Sequence, residues 1–563
     1  MKKAILLLSM LAVLTFPQGC EKNFDPKIYG VLTSQNFPVS ENDFVSLMMS
    51  CYVPFVNTWT YSLYSSSGNQ HPWYIPAGGV LKQFDTTSDV EAPWINGVWD
   101  INYRQLSEAN FSMCIYYQRD VLEDTRPNHY PKTREITRFT DVIKSISEAP
   151  ANKITEERKR EILAEARLCR ALHMYNLFHV YGPVPLIVNP EDVENPDALN
   201  NAVRPSLDDI SQWIYDDLDF AVQYAPENQT DKGRFTRDFA RVLMMRHCLN
   251  EGYHKEGWYQ KAIDMYNELN TGKYSLFQQG DNPYKEMFRE VNDFNCEIIA
   301  AISCDPSSTG NAKEGGMNPF VMLSTPNNCA KVDDLGDPTP FYTVGPGWGM
   351  TFNLAPKFYD TFSKTPEEDG GEGYDLRQES IITSYYTTGG EWWGPEDIGT
   401  RSEWDGYIPY KYPAETATAP CFGNDFPLAR WADVLLMYAE ADVRLSGAAP
   451  SQAAVDAVNQ VRHRAGLSDL PSNRTASAEA FLDALLEERG HEFWFEGMRK
   501  IDLIRFNMYA RKCKEIKGKV PTHQYMPIPN YAVDEAAGLG KQLAQTWSRE
   551  GWEEDMSKAA AIN

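Results

Sequence analysis

From Glu156 to Ile187 the chain reads EERKREILAEARLCRALHMYNLFHVYGPVPLI, a charged helical stretch that turns largely apolar on all sides between Leu168 and Val180. A helix without a polar face is one that its neighbours bury, so this segment is expected at the centre of the fold. Arg167 and Arg170 stand out within it, three positions apart, and each needs a carboxylate or carbonyl partner. His173, Asn176 and His179 are milder exceptions that a core can satisfy with hydrogen bonds. Gly182, Pro183 and Pro185 then stop the helix.

Helical spacing recurs along the chain. Ser40 is placed to cap a helix through Phe44, Leu47 and Met48, and Trp99, Tyr103, Leu106, Ala109 and Asn110 resume the same period. Arg204-Pro205-Ser206 opens a helix that carries Ile210, Ile214, Leu218 and Ala221 every three or four positions. Gly233–Gly252 and Trp258–Leu276 predict a helical pair of tetratricopeptide size, and Ala429–Gly447 with Ser451–Leu467 predict another. Phe481–Phe506 is a further helical block before an extended tail. Two-helix units that bury one face on the next imply a solenoid-like scaffold, although the consensus repeat residues are mostly absent. The expected fold is mainly α: a tetratricopeptide-like helical-pair scaffold with large irregular loop insertions.

Lys2 and Lys3 followed by AILLLSMLAVLTF make residues 1–19 an export signal, too short to span a bilayer. No linker divides the remainder, so residues 20–563 read as one domain, with the scaffold at about 32–57, 97–276 and 428–510. Residues 58–95 and 281–427 are the insertions, dense in Gly, Pro and aromatic residues. Long loops on a rigid scaffold are where binding groups are expected.

Composition narrows the chemistry. The formal charge of −25 repels phosphate backbones and argues against nucleic acid. Ten scattered cysteines show no C-x-x-C and no zinc spacing, and several lie in apolar helices as small hydrophobes. His491-Glu492 lacks the second histidine of a zinc protease, because Phe495 stands at that position. No nucleophile elbow or phosphate loop is present, and Gly345-Pro346-Gly347-Trp348-Gly349 lacks the lysine of a phosphate cradle. No metal, cofactor or catalytic activity is therefore expected. The enzyme alternative is a glycoside hydrolase on an α/α scaffold, since carboxylate pairs can always be found among 78 acidic residues.

The most specific pattern runs from Glu488 to Arg505, ER-x-x-EF-x-FEG-x-R-x-x-DL-x-R. Its Glu496, Arg499, Asp502 and Arg505 alternate in sign at intervals of three, which predicts a structural ion network along one helical edge. With the EAR-x-x-RA helix ending in YGPVPLI, the W-x-x-x-Y-x-x-L-x-x-AN segment from Trp99 and Met526-Pro527-Ile528-Pro529, it resembles the SusD/RagB family of outer-membrane nutrient-binding lipoproteins. Departures are Phe493 in place of Leu and an Arg549-Glu550-Gly551-Trp552 ending in place of Q-N-x-G-Y.

The resemblance implies that Cys20, after Gly19, is the lipidated first residue of the mature chain, although Pro17 stands where such boxes usually carry Leu. It also implies a cell-surface protein, anchored by lipid in the outer membrane, that captures an oligosaccharide and passes it to a SusC-like TonB-dependent transporter. A peptide-capturing member of the family is the alternative. Flat aromatic rings stack on the C–H faces of sugars, and the loops carry Trp73, Tyr74, Phe320, Trp348, Trp392, Trp393, Trp404 and Tyr407. Such rings can equally form satellite cores that pin a long insertion. By the family's arrangement, the binding candidates are Trp73 and Tyr74 with Asn69 and Gln70, and Trp348 with Phe320 and Tyr342.

Overall fold

The computed structural model describes residues 37–55, 73–74, 79–95, 101–111, 129–304, 318, 320–331, 347, 349–350, 352–413, 423–545 and 547–562. The export signal, Cys20, Asn69, Gln70, Trp99, Tyr342 and Trp348 lie outside them.

The organising stretch is one helix, Glu156–Tyr181, capped by Thr155 and buried without interruption from Leu168 to Tyr181. Arg170 grips Asp217 of the Leu207–Tyr224 helix through two bonds of 2.7 and 2.8 Å, and Arg167 stands 3.5 Å from the same carboxylate. Both arginines thus find the partner that their position demanded. His173 accepts from the Trp73 indole and meets the Lys132 carbonyl, and His179 meets the Asn250 amide.

The long helix packs against Lys132–Ser147 and Leu207–Tyr224. Leu207–Tyr224 packs on Arg237–Glu251, and that helix on Trp258–Leu269. Trp258–Leu269 then meets Trp431–Ser446, which contacts Gln452–Arg464 and Ala478–Phe493. Neighbours in space thus follow chain order, as in a solenoid, except that the order jumps the insertion. Ser40, Ser206, Thr236, Ser451 and Ser477 each accept a backbone N–H at a helix start, which explains why the helices begin where they do.

Strand β1 (Ile298–Ile302) pairs antiparallel with β7 (Phe426–Arg430), so the insertion leaves and rejoins the scaffold at one place. Inside it, β2 (Cys329–Lys331), β4 (Tyr385–Thr387) and β5 (Trp392–Trp393) form a three-stranded sheet. β3 (Ile381–Ile382) pairs with β6 (Ile408–Pro409).

Two expectations are corrected. The block Phe481–Phe506 is not one helix but two, Ala478–Phe493 and Arg499–Arg505, separated by a break with Phe495 at φ 52° and Gly497 at φ 79°. The break admits Asp85, whose carboxylate accepts the N–H groups of Gly497 and Arg499 at 2.6 and 3.2 Å. The charged edge therefore does not exist as one stripe. Glu496 turns to Lys411 and Arg430, Arg499 to Asp89, and Asp502–Arg505 remains as a pair of 2.7 Å.

The second correction concerns residues 79–95, expected as part of a long loop insertion that carries binding groups. Lys82, Asp85, Thr86, Thr87, Ser88, Asp89 and Glu91 are at most 1% exposed. The segment is threaded through the interior, where Tyr509 and Lys517 bond its Thr87 and Thr86 carbonyls. Polar composition signals exposure only when no partners are supplied from elsewhere. The seven described cysteines are unpaired, and six of them are buried.

Candidate functional site

The most specific motif builds a buried electrostatic centre. Arg430 donates to Glu496, Glu297 and Glu492 at 2.6–2.9 Å, and Arg464 pairs with Glu297 and Glu492. Arg377 holds Asp375 in a fork and reaches Glu488 at 2.6 Å. Burial alone would raise the Glu492 carboxyl, but Arg464, Arg430 and Arg377 together hold it well below the usual carboxylate range. These carboxylates are ion-paired and excluded from water, so they clamp the insertion to the scaffold and are structural.

The described binding candidates are also in the core, which corrects their expected role as stacking platforms. Trp73 is buried, with His129 stacked on its ring at 4.5 Å and its indole N–H given to His173. Tyr74 is buried against Phe55 and Phe426. Phe320 sits among Phe352, Tyr412 and Phe495, with centroids 5.1–5.5 Å apart. Trp404 is buried with its N–H on the Gly394 carbonyl, and Tyr407 and Trp393 are also buried. A ring sealed on all sides cannot offer its face to a sugar. These residues form the satellite cores that hold a long insertion in place.

One indole differs. Trp392 is 38% exposed, on the outer face of the β2–β4–β5 sheet. It is the cross-strand partner of the half-buried Tyr386, with ring centroids 4.8 Å apart. The hairpin follows from its sequence, YYTTGGEWW. Aromatic and β-branched residues favour strands, and a three-residue turn closes on Gly390 at φ 81°. Strand alternation sends Tyr386 and Trp392 outward and Tyr385 and Trp393 inward, the latter two 5.7 Å apart. Tyr386 shares this surface but escaped the sequence reading, because only the register Tyr386↔Trp392 puts it there.

Polar groups lie at the start of β2 and about the inward Tyr385. Tyr385 donates to the Asn328 side chain at 2.9 Å, and the Asn328 carbonyl accepts from Thr388 N–H at 2.7 Å. The neighbouring Asn327 is exposed. Gly347 and Gly349, which bracket Trp348, lie against Thr325, where a Cβ at Gly347 would overlap the Thr325 carbonyl. Glu403 stands beside them, its carboxylate 3.7 Å from where a Gly349 Cβ would be. Burial raises the Glu403 carboxyl against the pull of the Asn327 N–H, and Asp405 adds to the rise. Among the described residues no group of three or more His, Cys, Asp or Glu could hold a metal ion, and no helix is long and apolar enough to cross a membrane. The Tyr386–Trp392 surface offers flat rings, which is chemistry for stacking on the C–H face of a hydroxylated ligand.

Comparison with known proteins places this geometry in context. A family model described as the SusD family matches residues 349–547, and one described as starch-binding, associating with the outer membrane, matches residues 95–248. A SusD-like protein of Bacteroides ovatus is 25% identical over 479 residues, 77% of this chain and 78% of its own. In structure, the surface glycan-binding protein A of Bacteroides fluxus is similar at a TM-score of 0.64 and 23% identity, over 90% of this chain and 99% of that one. The surface glycan-binding protein A of Bacteroides thetaiotaomicron, in complex with laminarihexaose, is similar at a TM-score of 0.63 and 16% identity, over 90% and 99%. The helical-pair scaffold, the buried Glu488–Arg505 motif and these matches together establish that the chain belongs to the SusD/RagB-like family.

Proposed function

We infer that this protein is a glycan-binding lipoprotein of the cell surface, held in the outer membrane by a lipid on Cys20. It captures an oligosaccharide without cleaving it and delivers it to a SusC-like TonB-dependent transporter. The observation that carries the reading is the exposed Trp392 ring, paired with Tyr386 on a sheet whose inner face is anchored in the core. An aromatic held rigidly by strands loses little freedom when a sugar stacks on it. The ligands named for relatives, starch and laminarihexaose, support a glycan. Trp348 and Tyr342, with Asn69 and Gln70, complete the proposed site on the strength of the family's arrangement.

A glycan array on the soluble chain beginning after Cys20 tests the proposal. Retention of at least one oligosaccharide class, with no reducing sugar released on prolonged incubation, is the expected outcome. Binding of peptides alone would transfer the reading to a peptide-capturing member, and released sugar would make the protein a hydrolase.

A further inference from the structure

Arg204 is a charge that the scaffold leaves unanswered. Among the described arginines that are not exposed, it alone forms no ion pair, although the chain carries 78 acidic residues. It is half-buried, its Nη2 donates to the Ala544 carbonyl at 2.6 Å, and its Nε and Nη1 are buried with no hydrogen-bond partner. Burial pulls its titration below the ordinary guanidinium value, yet an arginine keeps its charge at any pH that a folded protein meets. A charge withdrawn from water in this way calls for a counter-charge.

Arg204 lines a cavity of about 260 Å³, formed where Pro185 of the YGPVPLI turn meets the helix Asn530–Gly538. Arg134, exposed and in no ion pair among the described residues, lines it too. So does Lys541, whose ammonium bonds the Asn200 carbonyl. Glu535 is the one carboxylate among the described lining residues, so the cavity is net positive on a chain of formal charge −25. Flat and apolar groups supply much of the rest: the half-buried Tyr130 and Tyr531, edge to face with centroids 6.3 Å apart, and Pro131, Val203 and Leu543. The volume falls just below the about 300–1,000 Å³ typical of sites for drug-sized ligands, which suits one ring instead of a chain.

Guanidinium groups beside aromatic and apolar walls recognise an anion carried on a ring, and their planar fork matches a carboxylate. Glu535 works against a second negative charge, which disfavours phosphate and sulfate. We propose that this cavity is a binding site of its own for a small monoanion, a carboxylate borne on a six-membered ring, with the carboxylate against Arg204 and Arg134 and the ring against Tyr130 and Tyr531. Two sources carry that chemistry, an acidic sugar and an aromatic acid. No described lining residue lies on the β2–β4–β5 sheet, so the site is separate from the Trp392 surface.

Isothermal titration of the full mature chain with D-glucuronate, its neutral isostere D-glucuronamide, 4-hydroxybenzoate and inorganic sulfate tests it, using wild type, Arg204→Met and Arg134→Ala. At least one of the two ring carboxylates is expected to bind, at least tenfold tighter than the amide or sulfate, and which one binds identifies the source. Both arginine variants should lose at least tenfold in affinity. Arg204→Met removes a charge that the fold leaves unpaired, so its melting temperature should stay level or rise while affinity falls. Arg134→Ala removes an exposed side chain, and the two together separate a binding role from a folding role. No binding of either carboxylate, less than tenfold preference over the amide or sulfate, or wild-type affinity in either variant overturns the proposal and leaves the glycan reading standing.

Discussion

Arg489 donates to Asp433 at 2.8 Å from the helix that follows two later in the chain, and its other nitrogens hold Asp502 at 2.8 and 3.2 Å. Arg246 reaches the same Asp433 carboxylate at 2.9 Å. Three separate helices are thereby locked to one buried acid. Burial alone would raise the Asp433 carboxyl, but Arg246 and Arg489 hold it down at about 2. An ion pair of this kind is weak evidence of net stabilisation, yet removing one member leaves the others charged and dry.

Asp433→Asn is therefore expected to cost about 3–5 kcal/mol in chemical denaturation at neutral pH. The sign with pH follows from linkage: a carboxyl lowered on folding contributes fully above its unfolded value, about 3.9, and loses that contribution as pH falls through its folded value. The gap between wild type and Asp433→Asn should narrow from pH 5 toward about pH 2. A gap that stays constant over this range would show that the charge does not matter.

Adjacent tryptophans on one short strand should respond in opposite ways. Trp392→Ala removes an outward ring and is expected to leave the melting temperature within a degree or two while lowering glycan affinity at least tenfold. Trp393→Ala opens a cavity beside Tyr385 and should cost about 3–5 kcal/mol of stability. Paired melting curves and titrations decide it, and equal stability losses in both would mean that Trp392 is a core residue.

Gly182 ends the long helix at φ 70° and ψ −162°, a region open essentially to glycine alone, and an added Cβ would lie 2.6 Å from the Trp547 ring. Gly182→Ala should lose about 1–3 kcal/mol from backbone strain, and more from the clash. In a double-mutant cycle with Trp547→Ala the losses should fall short of additive, because the clash disappears and the strain does not. Strict additivity in urea denaturation would rule out the contact.

Lys500 is 1% exposed, and among the described residues its ammonium has no hydrogen-bond partner and meets the rings of Phe111 and Tyr509 at 4.7 and 5.3 Å. Burial pushes its titration down to about 7. Between there and the unfolded value near 10.4, the unfolded chain binds more protons, so this residue's penalty is complete below about pH 7 and fades as pH rises. Lys500→Met is expected to raise the melting temperature at pH 6, with the gain shrinking by pH 9. A variant less stable than wild type at pH 6 would show that the ammonium is paired in solution.

Much of the scaffold was legible because its signals are local. The apolar period, the Ser40 cap, the helix start at Ser206 and the Gly182-Pro183 stop lie within a few residues of the helices they shape, and all reappear in the structure. The family motifs were legible as strings, and the need of Arg167 and Arg170 for a carboxylate could be stated before Asp217 was known to supply it.

By itself, then, the sequence determined a helical-pair scaffold, its caps and stops, its family and the demand for buried ion partners. Only the tertiary structure decided that residues 79–92 run inside, that the Glu488–Arg505 motif breaks at Gly497, and that Trp73, Tyr74 and Phe320 face inward while Trp392 faces out. The reason is that a ring's or a charge's partners arrive from a hundred or more positions away. Asp85 meets Gly497, and Trp73 meets His173, through packing that no local pattern encodes.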